Sequence, residues 1–344
     1  MADESRKQKE SVVVTGASGF LGGRVCHALV EQGAYHVKAF VRASSSLQEL
    51  PSTGVELVYG DITDTSSLLH AFQGCSAVLH CAALVTPWTP NPSKLFTVNV
   101  DGLKNVVKAI RGTSTVSKLV YVSSFFAIGP TDGKVVDESQ MHPGDCFCTE
   151  YEKSKVLADA IALEEAKNNL PIVVVYPGVI YGPGKVTEGN ALVSLVKERC
   201  NGRLPGKIGK RQDQFSFCHV DDVAKGCVAA MNKGRIGERY LLTGENTCFN
   251  EVFSLVDSLR GQKSLQFEIP MWSLEMVGWL SVFWARVSGS TPNISPPMVR
   301  VFKKQWCYSH EKAKRELGYE SRPLKEGVAQ FLTWMESSGH IPKQ

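Results

Sequence analysis

At 344 residues, 43% hydrophobic and 21% charged, the chain has the make-up of an ordinary globular protein, long enough for one larger domain and a smaller appended part. Its net charge of +4 comes from scattered residues, and short basic runs such as Lys207-Ile208-Gly209-Lys210-Arg211 lack the extent of a nucleic-acid footprint. Ten cysteines at irregular spacing, with no Cys-x-x-Cys, exclude a disulfide scaffold and read as reduced thiols of a cytoplasmic protein.

The first ten residues are charged and lack an apolar core, which argues against a secretory signal and for a disordered tail over 1–10. Val12 to Thr15 reads as a buried strand, followed by Gly16-Ala17-Ser18-Gly19-Phe20-Leu21-Gly22 and a helix over Phe20 to Glu31, with Leu21, Val25, Ala28 and Leu29 on one face. A glycine-rich turn between strand and helix lets backbone approach a pyrophosphate closely, and the helix N-terminus adds unpaired amides and positive dipole. Gly16, Gly19 and Gly22 suit that task, with Ser18, Phe20 and Leu21 beside the ligand.

The second strand, Val37 to Val41, ends at Arg42 with no acidic residue. An acid there would bind the adenosine ribose, whereas an arginine accepts a 2′-phosphate, so Arg42 favours NADP(H) over NAD(H). The third strand, Val55 to Tyr59, leads to Gly60-Asp61-Ile62-Thr63, where Asp61 either accepts from the adenine amino group or caps a helix beginning near Thr65. A fourth strand spans Ala77 to Cys81, a helix Phe96 to Ile110, and a fifth strand Lys118 to Ser123. Cys146-Phe147-Cys148 with His142 lacks the second ligand pair of a structural zinc site, and no metal is expected. A third helix spans Tyr151 to Lys167, and Ile172 to Val175 forms a sixth strand.

This alternation predicts an α/β Rossmann fold, a doubly wound parallel sheet with a smaller C-terminal substrate-binding part. The expected boundaries are 11–176 for the dinucleotide-binding domain, with 207–247 returning to it, and 177–206 with 248–340 for the substrate part. Pro177-Gly178, Gly182-Pro183-Gly184 and Leu204-Pro205-Gly206 mark turns. Met276 to Ala285 is nearly all apolar, but Glu275 and Arg286 bracket it well short of the ~20 residues of a membrane helix. It either lines a pocket or rests on a membrane surface, so peripheral membrane contact through 271–286 is an expectation. Ser295-Pro296-Pro297 reads as a linker or turn.

Tyr151 and Lys155 lie four apart and share a helix face. A phenol of pKa ~10 is a poor acid or base near neutrality, but a neighbouring ammonium and a positive nicotinamide ring both favour the phenolate. Tyr151 is therefore read as the group that exchanges a proton with a substrate oxygen during hydride chemistry, Lys155 as its electrostatic partner, and Ser124 as the hydroxyl that holds the oxygen.

With these residues in view, the chain from about 11 to 335 resembles the extended short-chain dehydrogenase/reductases. The marks are the glycine turn, His80-Cys81-Ala82-Ala83, Asn99-Val100-Asp101-Gly102, Tyr121-Val122-Ser123-Ser124, Tyr151-Glu152-Lys153-Ser154-Lys155, Tyr176-Pro177-Gly178-Val179-Ile180-Tyr181-Gly182 and His219-Val220-Asp221-Asp222-Val223-Ala224. The resemblance implies Ser124, Tyr151 and Lys155 as the catalytic set with Asn99 in support, and Ile62, Cys81, Ala82, Ala83, Lys155, Pro177 and Val179 against the cofactor. Within the family the chain looks like the dihydroflavonol-reductase-like branch, which includes farnesol dehydrogenase and cinnamoyl-CoA and steroid-converting relatives. Some dehydrogenases of that branch have a similar second strand yet use NAD, which keeps NAD(H) open. The nucleotide-sugar epimerase/dehydratase branch carries a phosphate-binding arginine five residues before the valine of Val-Asp-Asp, and this chain has Phe215 there. That exchange argues for a small, uncharged, apolar substrate lined by Trp88, Phe125, Phe126, Tyr181 and Phe215, with the Trp272 to Trp284 region adding apolar surface. The expectation is an oxidoreductase interconverting an alcohol and its aldehyde or ketone. The alternatives are a nucleotide-sugar epimerase and a non-catalytic NAD(P)-binding scaffold, and both a monomer and a homodimer remain open.

Overall fold

A computed structural model describes residues 9–187, 189–204, 206–209, 213–264, 267–292 and 294–343. In the first half, β1 (Glu10–Thr15), α1 (Phe20–Gln32), β2 (Tyr35–Val41), β3 (Val55–Tyr59), α2 (Thr65–Phe72) and β4 (Cys75–His80) follow in order. They are succeeded by α3 (Ser93–Phe96), α4 (Gly102–Arg111), β5 (Lys118–Val122), α5 (Glu150–Lys167) and β6 (Ile172–Pro177). The second half contains β7 (Val179–Tyr181), α6 (Ala191–Cys200), β8 (Lys207–Ile208), β9 (Gln214–His219), α7 (Val220–Lys233) and β10 (Arg239–Leu242). After these come β11 (Glu245–Cys248), α8 (Phe249–Leu259), β12 (Glu268–Ile269), α9 (Met271–Ser288), α10 (Pro296–Phe302), α11 (Glu311–Leu317) and α12 (Leu324–Ser337).

Seven parallel strands form the central sheet in the order β10-β6-β5-β4-β1-β2-β3. Both faces are covered, which is why the strands read as unbroken apolar runs rather than as alternation. Val12 and Val14 of β1 pack with Val25 and Leu29 of α1 and with Val223 and Cys227 of α7, while Val13 between them joins Leu68 of α2 and Leu103 of α4 on the other face. The strand order reverses between β1 and β4, and in open α/β sheets ligands settle in the crevice beyond the strand ends at such a reversal.

The smaller part holds a three-stranded sheet, β11-β9-β7, and the short pair β12-β8. This corrects the expected return of 207–247 to the large domain. β8 and β9 belong to the small sheets, and it is α7, against α1, and β10, beside β6, that complete the large layer. The expected tail lies outside the described residues up to residue 8, and Glu10 already pairs with Tyr35. Pro205, Lys210 and Arg211 also lie outside the described residues.

Two further expectations change. Ser295-Pro296-Pro297 is not a linker but the start of α10, because proline's fixed φ and missing N–H suit the first helical turn. The helix expected over Phe96 to Ile110 is interrupted by a π-helical turn, Thr97–Asp101, which carries Asn99. One residue beyond the α-helical count re-aims the side chains that follow, a device that recurs at functional sites.

Candidate active site

The glycine turn joins β1 to α1 at the reversal. Gly16 has φ +68°, and a Cβ there would lie 2.7 Å from the Ala82 Cα, so only glycine fits against the exit of β4. A Cβ on Gly22 would lie 2.1 Å from the Gly16 carbonyl oxygen, which fixes how closely α1 approaches the turn. Gly19 caps α1 without a side chain, and its amide donates to the Gly16 carbonyl at 2.9 Å. The first-turn amides of α1 therefore meet no capping side chain and face a cradle that any Cβ would fill, the arrangement that accepts a pyrophosphate. Phe20 is buried, with Ser18 and Leu21 half-buried around it.

Thr15 ties β4 to this turn. Its carbonyl accepts from the Cys81 amide at 3.2 Å, its hydroxyl lies 2.7 Å from His80 Nδ1, and the Ala82 amide donates to that hydroxyl at 3.4 Å. Burial pushes the His80 pKa down to about 3, with Lys155 acting in the same direction, so this imidazole is neutral. Cys81, Ala82 and Ala83 are half-buried at the end of β4, and burial pushes the Cys81 thiol up to about 12. Pro177 closes β6 and Val179 opens β7, with Gly178 between them passing so close to β9 that a Cβ would lie 2.4 Å from the Ser216 carbonyl oxygen.

Arg42 follows the last residue of β2, exposed, and among the described residues its side chain has no hydrogen-bond or ion-pair partner. Asp61 is taken up locally, its carboxylate accepting from the Thr63 amide at 2.9 Å and the Thr63 hydroxyl at 2.8 Å. The cap of α2 is instead Asp64, which receives the Ser66 and Ser67 amides, so one of the two roles expected for Asp61 belongs to its neighbour. Ile62 packs toward Gly102, and its carbonyl accepts from Asn105 at 3.0 Å.

The helix that carries Tyr151 and Lys155, α5, starts on a capping box. Thr149 Oγ1 accepts from the Glu152 amide at 2.9 Å, while Glu152 Oε2 accepts from the Cys148 amide at 2.5 Å and the Thr149 amide at 3.3 Å. His142 secures the other oxygen of Glu152 at 3.1 Å and receives the Gly144 amide at 2.9 Å. Both nitrogens of that imidazole are thereby used in holding the helix start.

Tyr151, one position past this anchor, is buried, with its ring edge-on to Phe126 at 5.8 Å. Burial pushes the phenol's pKa well up, and the neighbouring Ser124 hydroxyl acts against it. Ser124, two residues beyond the end of β5, caps the short turn that follows, accepting from the Phe126 amide at 3.3 Å. Lys155 is buried; its Nζ donates to the Val122 carbonyl at 3.1 Å and lies 5.4 Å from the centre of the Tyr121 ring. Burial pushes this ammonium down to about 8, opposed by Asp159 and Cys81. In this structure, then, Lys155 is drawn toward the strand end, and it is burial rather than the lysine that governs the phenol.

One positioning residue escaped the sequence reading, and another does more than was expected of it. Asp159, a further turn along the Tyr151–Lys155 face, accepts from Ser123 at 2.8 Å and Tyr176 at 3.0 Å, and burial pushes its pKa up to about 6. An acid at that spacing within an apolar helix face was the available signal. Asn99 carries more than general support. Its amide accepts from the Leu84 N–H at 2.8 Å and donates to the Leu84 carbonyl at 3.0 Å and to Ser154 Oγ at 2.9 Å, and Ser154 in turn donates to the Tyr151 carbonyl at 2.7 Å.

Of the expected substrate residues, Phe126 lies against Tyr151, and Trp88 is half-buried in the loop after β4, its carbonyl accepting from Thr86 at 2.6 Å. The others are corrected. Phe125 is buried behind Phe126, in contact with Trp306 and Tyr308. Tyr181 is 1% exposed, edge-on to His219 and so close to α12 that a Cβ on Gly327 would lie 2.2 Å from its hydroxyl. Phe215, also 1% exposed, is interior to a cluster with Phe249 and Phe302. The Trp272 to Trp284 stretch faces outward instead of lining a pocket. Trp306, which the sequence did not single out, is fully buried and backs Phe126 with its ring centre 5.0 Å away.

Residues 12–242 match the model of the NAD dependent epimerase/dehydratase family. Sterol demethylase protein B of Methylococcus capsulatus is 28% identical over 343 residues, covering 96% of this chain and 100% of that protein. The 2-alkyl-3-oxoalkanoate reductase of Stenotrophomonas maltophilia is 30% identical over 339 residues, covering 92% and 97% respectively. The crystal structure of gox2253 superposes with a TM-score of 0.82 at 30% identity, covering 97% of this chain and all of that one.

Proposed function

The chain belongs to the NAD dependent epimerase/dehydratase family, within the extended short-chain dehydrogenase/reductases, and on that premise we propose that it interconverts an alcohol and its aldehyde or ketone on an apolar substrate of terpenoid, phenylpropanoid or steroid kind. The observation that carries this reading is the Phe126 ring standing edge-on to Tyr151, with Ser124 adjacent to the phenol. An apolar wall at the reacting oxygen favours a hydrocarbon body, which the interior desolvates at no polar cost. A nucleotide sugar needs cations for its diphosphate, and the position at which the epimerase branch carries an arginine holds Phe215. The names of two relatives, one a sterol demethylase protein and one an oxoalkanoate reductase, point toward apolar substrates as well.

The residues present fit a dinucleotide. The Gly16–Gly22 turn with the α1 amides would hold the pyrophosphate, and the ends of β4 and β6 would flank the nicotinamide, which supplies hydride exchange with the substrate carbon. Arg42, exposed and unpartnered at the end of β2, supports NADP(H) as the preferred form. The chain's own residues manage the proton. Ser124 holds the substrate oxygen, and Tyr151 gives it a proton in reduction or takes one in oxidation. Lys155 keeps a buried positive charge one helical turn away that favours the phenolate when it forms. Asn99 and Ser154 fix the backbone from which Tyr151 projects.

Purified protein is offered farnesol-like and other apolar primary and secondary alcohols with NAD and NADP in parallel, and absorbance of the reduced nicotinamide is followed. Growth of signal on apolar alcohols is expected, faster with NADP. Silence across the panel with cofactor binding demonstrated would sink the substrate reading.

A further inference from the structure

The helix α9 is apolar on both of its faces, and only one of them is covered by protein. Leu274, Gly278, Val282 and Ala285 point inward, and Gly278 sits so close to α10 that a Cβ would lie 3.1 Å from the Pro296 nitrogen. On the other side, Trp272, Met276, Trp279, Leu280, Phe283 and Trp284, with two valines, each leave between 52% and 67% of their surface exposed. At 3.6 residues per turn these eight positions sweep an arc of about 160°. At 150–250 Å² per aromatic side chain, the four aromatic residues alone expose on the order of 400–650 Å², already as large as the largest apolar patch on a typical monomer.

The geometry points to α9 as an interfacial helix that lies on an anionic lipid bilayer with its outward arc sunk among the headgroups and upper acyl chains. Among the described residues no helix is long and apolar enough to cross a membrane, and an interfacial helix is recognised by an aromatic-rich apolar face set against flanking cations. Both elements are present. Residues 271–304 contain a single acid, Glu275, and it is paired with Lys303 at 2.6 Å. Arg286 in the last turn of α9, and Lys304, next to the Lys303 that pairs with Glu275 in the first half of that helix, are exposed, with no acidic partner among the described residues. Cations thus stand at both ends of the helix, matched to anionic headgroups, and tryptophan is the side chain that favours the headgroup level. A second copy of the chain would press a narrower stripe against so wide and convex an arc, whereas a bilayer surface wraps it.

This inference does not rest on the substrate assigned above, because it is read without turnover. Full-length protein is sedimented with phosphatidylcholine vesicles, with and without phosphatidylserine. The wild type is expected to pellet with the mixed vesicles and less so at high salt. Trp279→Ser with Phe283→Ser, both on the exposed arc, should keep the wild-type melting profile and bind about tenfold more weakly or worse. Arg286→Glu with Lys304→Glu should abolish the gain from phosphatidylserine. A wild type that stays in the supernatant, or a Trp279→Ser/Phe283→Ser protein that pellets normally, overturns the proposal. So does sedimentation velocity showing a dimer that this double substitution dissociates, since the occupant would then be a second copy.

Discussion

Asn99→Ala tests whether the π-helical turn is what holds Tyr151 in place. The side chain makes three hydrogen bonds, two to the Leu84 backbone and one to Ser154. At about 1 kcal/mol each they sum to roughly 3 kcal/mol of stability, and the half-buried Leu84 groups left unpaired push the cost upward. For a chain of 344 residues that is a fall in Tm of roughly 4 °C. The functional effect differs from the thermal one. Ser154 without its Asn99 partner still donates to the Tyr151 carbonyl, but the link from α5 to the loop after β4 is gone, and a misplacement near 1 Å costs on the order of 100-fold in rate. Calorimetry and steady-state kinetics well below the melting transition separate the two, with a lower kcat and a nearly unchanged cofactor Kd expected. An Asn99→Ala protein that melts within about 0.5 kcal/mol of the wild type and turns over normally would refute the role assigned here.

Tyr151→Phe should retain cofactor affinity and lose at least about 100-fold in kcat, measured by isothermal titration and turnover; activity at the wild-type rate would remove the phenol from the mechanism. Arg42→Glu should weaken NADP(H) more than NAD(H), and an unchanged ratio of the two affinities would show that Arg42 does not meet the 2′-phosphate. Asp159 is pushed up to about 6 from 3.8, so folding holds its proton more tightly than the unfolded chain does. About 3 kcal/mol of stability is therefore present below pH 4 and lost as pH rises to 6. Urea titrations should show that slope in the wild type and not in Asp159→Asn; the same slope in both would place its origin elsewhere. Phe215→Arg puts a guanidinium inside the cluster with Phe249 and Phe302 and should collapse the fold rather than recruit nucleotide sugars, which thermal melting decides.

The central sheet was legible because both of its faces are buried. Each buried strand then announces itself as a short apolar run, and β6, buried along its whole length, begins where it was expected, at Ile172. The glycine turn was legible for a related reason, since Gly16 and Gly22 are demanded by backbone approach, a constraint that one residue type satisfies. What the sequence could not reveal was direction. Phe125 and Phe126 are adjacent and chemically identical, and their rings stack at 4.3 Å, yet the inner one is core and the outer one borders Tyr151, because the turn after Ser124 layers one behind the other. Phe215 and Tyr181 misled in the same way, since an aromatic residue reads alike in a core and in a pocket wall.

The holding contacts of Asn99 and Glu152 were hidden for a different physical reason. Both act through backbone partners distant from the chemistry, and a hydrogen bond to a main-chain amide carries no signature in the partner's identity, so Leu84 gives no hint that Asn99 clamps it. Glu152 had a readable signature, the Thr149-x-x-Glu152 spacing of a capping box, but that pattern looks like ordinary helix initiation until His142 and the Cys148 amide are seen to converge on it. The reacting groups are thus read from side-chain type, whereas the precision with which they are held is written in contacts that only the folded chain brings together. Substitution at the holders should accordingly lower kcat while leaving cofactor affinity in place, and substitution at the glycine turn should do the reverse.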